Sequence, residues 1–245
     1  MYSSISELKG FLGGEDLVIV GGGPSSENLG KEFTKSRVVL GCNYRNPENR
    51  YDLHLLHDPL AIMWYKKNNV DLNTSHMILS QIITEVETHN SNREKFEHER
   101  QFALNPLHHR DVWVGDIPVN EYLNAMIYEW ESLGRKNKIY KASSPSPETT
   151  VSLDDIIGER WFNAGLWCIK LAKYFGAGRV FLSGFDGGQF HNYSHPPSSR
   201  IVTAKNRTRH DYMPYAHHMN ELKKEIDIFL VNTENSLYNL PKVFV

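Results

Sequence analysis

Three consecutive glycines, Gly21, Gly22 and Gly23, stand directly after the apolar run Leu17-Val18-Ile19-Val20 and directly before Pro24-Ser25-Ser26. Glycine carries no Cβ, so main-chain N–H groups in such a turn can converge on an anion. The chemistry this suits is the cradling of a phosphate. A plain strand–turn–helix corner uses the same residue types, so the turn alone leaves both readings open. Two known phosphate patterns do not match. No Gly-Lys-Ser/Thr follows, which removes the P-loop, and no glycine stands at the last position of G-x-G-x-x-G, which speaks against NAD.

Other reactive residue types also follow apolar runs. Asn43 comes after RVVLG at 37–41, where a side-chain amide suits a base or a ribose. Asp58, in His57-Asp58-Pro59, comes after the run at 52–56, although aspartate before proline is an ordinary turn residue. Asp186 follows RVFLSG at 179–184 in a glycine-flanked setting open to a ligand or to a turn cap. The chain has 12 histidines. His54 with His57, His191 with His195, and His217 with His218 and Glu221 are candidate metal sets, but none has the H-E-x-x-H spacing and no cysteine joins them. A histidine general base is the better use, since its pKa lies near neutrality. Residues 189–214 hold His191, His195 and His210 together with Arg200, Lys205, Arg207 and Arg209. That set suits a phosphate or an anionic acceptor, and a solvated surface loop would look the same. No nucleophile elbow with a Ser-His-Asp order is present.

The elements that must position these groups follow from periodicity and punctuation. Apolar, β-branched runs predict strands at 17–21, 37–41, 52–56, 77–83, 179–184 and 227–232, with a shorter one at 111–115. Helical patterns fall at 5–12, 26–33, 60–67, 119–133, 166–175 and 215–226. Strands alternating with helices predict an α/β fold of βαβ units, a mostly parallel sheet flanked by helices. In such a sheet ligands lie beyond the carboxyl ends of the strands, where Gly22, Asn43, Asp58, Asp186 and Asn232 all fall. Residues 85–110 are polar and charged, and 141–150 are rich in Ser and Pro. The expectation is one nucleotide-binding domain over 1–245, with a small lid or insert built from about 85–150 and from 189–214.

Bulk composition bounds the rest. The chain is 40% hydrophobic and 23% charged with a formal net charge of −2, so no strong pull toward nucleic acid is expected. Cys42 and Cys168 make no disulfide framework and fit a reducing compartment. The N-terminus lacks a basic segment followed by an apolar one, and no apolar run reaches the roughly 18 residues needed for a transmembrane span. A cytoplasmic location is expected, with attachment to the inner face of a membrane allowed. A homo-oligomer is also allowed.

Taken together, VIVGGGPSS, GCNY, NAGLWCIKLAKYFGAGRVFLSGFD, a His-bearing loop and NTENSLYNLP resemble the bacterial sialyltransferases of the Campylobacter type, glycosyltransferase family 42. The resemblance covers about half of the chain, at its two ends. It implies a Rossmann-like nucleotide-binding domain with a smaller lid, a GT-A-like variant. It also implies transfer of sialic acid or a related sugar from a CMP-activated donor to a glycan or glycolipid hydroxyl, with inversion and with no cofactor required. Gly22, Gly23, Pro24 and Ser25 would cradle the nucleotide, with Asn43 contacting it. Asn163, Ala164 and Gly165 would lie against ribose or phosphate. Gly184 and Asp186, at the strand end, would bind the nucleotide or donor, and Asn232 and Ser236 would lie on the cytosine side. His210 would be the general base, and Tyr193 one of two tyrosines holding the leaving phosphate. Arg160 approximates the family's arginine one position off, Gly22 replaces an asparagine, and Gly188 replaces the second tyrosine.

A weaker resemblance is to the pterin pyrophosphokinase and motility-accessory family, which shares the Gly-Pro-Ser turn and the Leu-x-Gly-x-Asp strand end. In that alternative Asp58 and Asp186 would bind Mg²⁺ bridging ATP phosphates. A third alternative is a degenerate nucleotide binder without activity.

Overall fold

The computed structural model describes residues 2–43, 50–56, 74–79, 113–114, 117–118, 138–141, 164–185, 219–233 and 238–245. Its strands are β1 (Tyr2–Ser4), β2 (Asp16–Val20), β3 (Val38–Cys42), β4 (Tyr51–Leu56), β5 (Thr74–Leu79), β6 (Trp113–Val114), β7 (Ile117–Pro118), β8 (Lys138–Lys141), β9 (Arg179–Ser183), β10 (Asp227–Val231) and β11 (Lys242–Val243). Among the described residues nine of these form one sheet in the order β1-β8-β5-β4-β3-β2-β9-β10-β11, and every pairing in it is parallel. β6 and β7 form a separate antiparallel pair. The expected α/β fold with a parallel sheet is what the chain adopts.

The composition of the central strands explains their place. In β2 all of Leu17, Val18, Ile19 and Val20 are fully buried, as expected of a strand covered on both faces. Alternation then sorts them. Leu17 and Ile19 join a core with Leu40, Leu53, Val180 and Leu182. Val18 and Val20 join a second core with Val39, Phe181 and Leu29. The first core is capped by α2 (Ala164–Tyr174), which buries Leu166, Trp167, Cys168, Ile169, Leu171 and Ala172. Each fully buried aliphatic side chain of this kind contributes about 1.5–3 kcal/mol. The helix stops at Gly176, whose φ is +80. There Ala177 N–H donates to Ala172 O at 3.0 Å and Gly176 N–H donates to Lys173 O at 3.0 Å, a Schellman stop in which only glycine sits without strain.

The segment after the glycine turn differs from the helix expected at 26–33. A 3₁₀ turn spans Pro24–Asn28, and a single α-helical stretch, α1 (Lys31–Lys35), follows. Leu29 and Gly30 between them are extended, with ψ of 109 and 136. Leu29 is buried in the second core, and keeping it there interrupts the helix. The consequence is chemical. No long helix starts at Ser25, so at this turn anion affinity falls to its backbone N–H groups and not to a helix dipole of its own.

Other boundaries also move. The lead-in at 5–12 is a 3₁₀ turn over Ile5–Leu8 followed by turns. The strand expected at 77–83 is Thr74–Leu79. Lys138–Lys141, within the stretch expected as a lid, lies in the main sheet between β1 and β5. The rest of 85–150, apart from β6 and β7, and all of 189–214 lie outside the described residues. Among the described residues no helix is long and apolar enough to cross a membrane.

At the amino ends of the strands, Asp16 ties β2 to β9 and to the Arg37 that precedes β3. Its carboxylate accepts a forked pair from Arg179 at 2.8 and 2.9 Å and a third bond from Arg37 Nε at 3.3 Å. This clamp sits at the opposite edge from the glycine turn.

Candidate functional site

Strand order locates the crevice. From β2 the chain proceeds to β3 on one side, and from β9 it proceeds to β10 on the other. Adjacent strands with diverging connections form a switch point, and ligands of open parallel sheets bind at its carboxyl edge. The edge here runs through the ends of β3, β2, β9 and β10. It carries Asn43, the glycine turn, Gly184 and Asn232.

β2 and β9 leave the sheet nearly in contact. Gly21 N–H donates to Ser183 O at 2.8 Å, and Gly23 N–H donates to Gly184 O at 3.0 Å. A Cβ on Gly21 would stand 2.9 Å from Gly184 O, and one on Gly184 would stand 2.5 Å from Gly21 O. Gly184 also has φ +77. Gly21 is absent from the site residues that the sequence motifs assign, but its place is as restricted as that of Gly184. Gly22 at the tip is half-buried and has no hydrogen-bond partner among the described residues.

The serines fasten the turn. Ser26 is buried, and its hydroxyl donates to Gly23 O at 2.7 Å. Ser25 is 5% exposed. Its Oγ accepts the Gly184 N–H at 2.9 Å, and the Thr233 hydroxyl donates to it at 3.2 Å. Ser183 Oγ donates to Ser25 O at 3.3 Å. The motif assigns Ser25 to the nucleotide; its hydroxyl is engaged in joining the turn to β9 and to the end of β10. Thr233 and Ser183, both fully buried, escape the motif reading. The available signal is a hydroxyl residue near the end of each of two apolar strands. Replacing Ser25 with alanine leaves the half-buried Gly184 N–H without its acceptor. The expected loss is about 2 kcal/mol, read as a lowered urea midpoint at unchanged slope.

The two asparagines share a conformation. Asn43 and Asn232 both have φ 52, and among the described residues they alone outside glycine have positive φ. Asparagine tolerates this region better than other side chains, and such residues gather at functional sites. Asn43 N–H donates to Leu55 O at 2.8 Å, and its carbonyl faces His54 Nε2 at 2.6 Å. Asn232 Nδ2 donates to Asn28 O at 2.7 Å, and its Oδ1 accepts the Val245 N–H at 2.9 Å. The Asn232 amide thus joins the glycine-turn segment to the C-terminal strand.

Ala164 and Gly165 open α2. The far end of this helix lies at the amino edge, where Gly14 N–H donates to Gly176 O at 2.8 Å. Eleven helical residues span about 16 Å, about the length of the strands beneath. The helix start therefore reaches the carboxyl edge. Cys168, one turn in, hydrogen-bonds with Cys42 at the end of β3. Burial, then this contact, pushes the Cys168 thiol well above its usual pKa, so it is no nucleophile.

His54 is one of the candidate metal residues raised by the sequence and set below a general-base use. Its ring is fully buried, and the Nε2 facing a carbonyl must carry a proton, so that nitrogen cannot ligate. Among the described residues no group of three or more His, Cys, Asp or Glu could hold a metal ion. Asp58, Arg160, Asn163, Asp186, Tyr193, His210 and Ser236 lie outside the described residues, as does the side chain of Pro24.

No family model matches the chain, and no curated protein matches it. Among solved structures it is similar to the monofunctional α-2,3-sialyltransferase Cst-I from Campylobacter jejuni, at 13% identity and a TM-score of 0.47, over 93% of this chain and 80% of that one. It is similar to the sialyltransferase CstII from Campylobacter jejuni in complex with cytidine-5′-monophosphate, at 15% identity and a TM-score of 0.44, over 91% and 82% of the two chains. A structure of CstII with a trisaccharide acceptor and CMP matches at 13% identity, with a TM-score of 0.44, over 91% and 83%.

Proposed function

We propose that this chain is a glycosyltransferase that takes a sugar, sialic acid or a relative of it, from a CMP-activated donor to a glycan hydroxyl. The observation that carries this is the convergence at one switch point of the glycine turn, Gly184 and two asparagines in left-handed conformation. These same segments bear the motifs that resemble the Campylobacter-type sialyltransferases. The nucleotide lies across the ends of β2 and β9, with Gly22 offering a backbone N–H and Asn43 a side chain on the β3 side. His210 takes the acceptor's hydroxyl proton. The acceptor oxygen then bonds to the anomeric carbon as the bond from that carbon to the phosphate oxygen breaks. CMP leaves with the electron pair, and Tyr193 donates a hydrogen bond to the departing phosphate. No metal enters these steps.

A thermal-shift panel tests it. A ligand at a hundred times its Kd stabilises by about 2.7 kcal/mol, which for a chain of this size raises Tm by roughly 5–10 °C. CMP or a CMP-sugar should do this in the presence of a chelator. Stabilisation by ATP only with Mg²⁺ would instead favour the pyrophosphokinase alternative built on Asp58 and Asp186. Indifference to every nucleotide would sink both.

A further inference from the structure

We propose that His54 is a positioning residue that sets Asn43 for the nucleotide; this rests on the nucleotide reading of the switch-point crevice. β4 reads YDLHLL, and among its apolar neighbours a fully buried imidazole is out of character. Burying a polar ring costs stability unless it is hydrogen-bonded, so its contact with Asn43 calls for a physical reason. The ladder between β3 and β4 pairs Gly41 with His54 and Cys42 with Leu55, and β3 ends there. Asn43 lies one residue beyond, in a left-handed conformation. Its two backbone groups are both held by β4, the N–H by Leu55 O at 2.8 Å and the carbonyl by His54 Nε2 at 2.6 Å. The imidazole thus extends the ladder past its last pair and fixes the one turn of φ that aims Asn43 away from the strand direction.

The ring is fully buried and has an aromatic neighbour. Tyr51 lies beside it, with ring centroids 6.0 Å apart and planes tilted by 32°. Tyr51 occupies the space a Cβ on Gly41 would need, at 2.8 Å. In the ladder the register partner of His54 on β5 is Met77, also fully buried. A donor walled in this way keeps a fixed direction, and preorganisation of a residue that meets ligand raises affinity without adding a contact.

The test is CMP binding, with unfolding by urea measured on the same variants. His54→Leu keeps volume and removes the donor; it should weaken CMP by about tenfold or more and speed amide exchange at Asn43. His54→Gln keeps a donor at nearly the Nε2 position and should bind within about threefold of the unmodified chain, even where its urea midpoint stays low. Should His54→Leu fail to fold, His54→Asn replaces it, since its amide is too short to reach the Asn43 carbonyl. In an Asn43→Gly background, where glycine keeps the left-handed turn, His54→Leu should cost less than about twofold more. Unchanged CMP affinity in a folded His54→Leu, or full additivity with Asn43→Gly, would overturn the proposal. Absence of CMP binding by the unmodified chain overturns the site reading, and this proposal with it, before any variant is compared. Asn43 exchange rates then still report whether His54 holds the turn.

Discussion

Gly184→Ala should destabilise the fold by about 2–5 kcal/mol, combining a left-handed penalty of roughly 1–2 with an overpacking cost of roughly 1–3. The geometry leaves no easy escape. The new Cβ would meet Gly21 O at 2.5 Å, Gly21 C at 2.7 Å and Gly23 N at 3.0 Å, all backbone atoms. Moving them would stretch the bonds from Gly21 N–H to Ser183 O and from Gly23 N–H to Gly184 O. Those bonds hold the two strands whose ends frame the crevice, so CMP affinity should fall with stability. Gly14 supplies the control. It has φ +94, and a Cβ added there would meet nothing within 4 Å, so Gly14→Ala should lose only the conformational part, about 1–2 kcal/mol. Urea unfolding at constant slope measures both. Equal losses at the two positions would show that close approach contributes nothing at Gly184.

The switch point is legible in the sequence because its strands are strongly apolar and end in special residues. Leu17 to Val20 and Val180 to Leu182 are buried as their composition requires, and Gly21 and Gly184 punctuate them. β1, β8 and β11 are not legible in this way. Each is short, from two to four residues, and YSS or KIYK carries too little apolar pattern to announce a strand. β1 and β8 also pair across a long stretch of chain, Tyr2 with Ile139, whereas β11 pairs with the nearby β10. The split of the helix expected at 26–33 is hidden for a related reason: Leu29 leaves helical geometry to join a core contributed by other strands.

The site shows the same division. Residue types place Ser25, Asn43, Gly184 and Asn232 along one edge correctly. Their bonding is not legible, because the partners are remote: Ser25 meets Gly184 across 159 positions and Thr233 across 208, and Asn232 meets Asn28 across 204. A hydroxyl that the family resemblance assigns to a ligand can thus be taken up by the fold. What distinguishes Asn43 is the reverse. Its backbone bonds to β4, only 11 residues away at His54, fix a conformation that no local periodicity reveals.

His210→Ala should abolish sugar transfer while CMP affinity stays within a few fold. In the proposed mechanism the base acts on the acceptor's hydroxyl proton and not on the nucleotide, so its removal should strike the chemical step and spare donor binding. General-base catalysis contributes about 10²–10⁴-fold, and the loss should appear in kcat more than in KM for the donor. The rising acidic limb of the pH–rate profile should also vanish, because a histidine must be neutral to accept the proton and is lost as a base when pH falls below its pKa. Substitution at the neighbouring His191, His195 or His217 should leave that limb in place. If transfer survives in His210→Ala with its acidic limb intact, one of those three is the base. If no single histidine substitution moves the limb, the proton goes to another group, and the assignment carried by the motif in residues 189–214 fails, while the nucleotide site proposed at the ends of β2 and β9 rests on other residues and is judged by CMP binding alone.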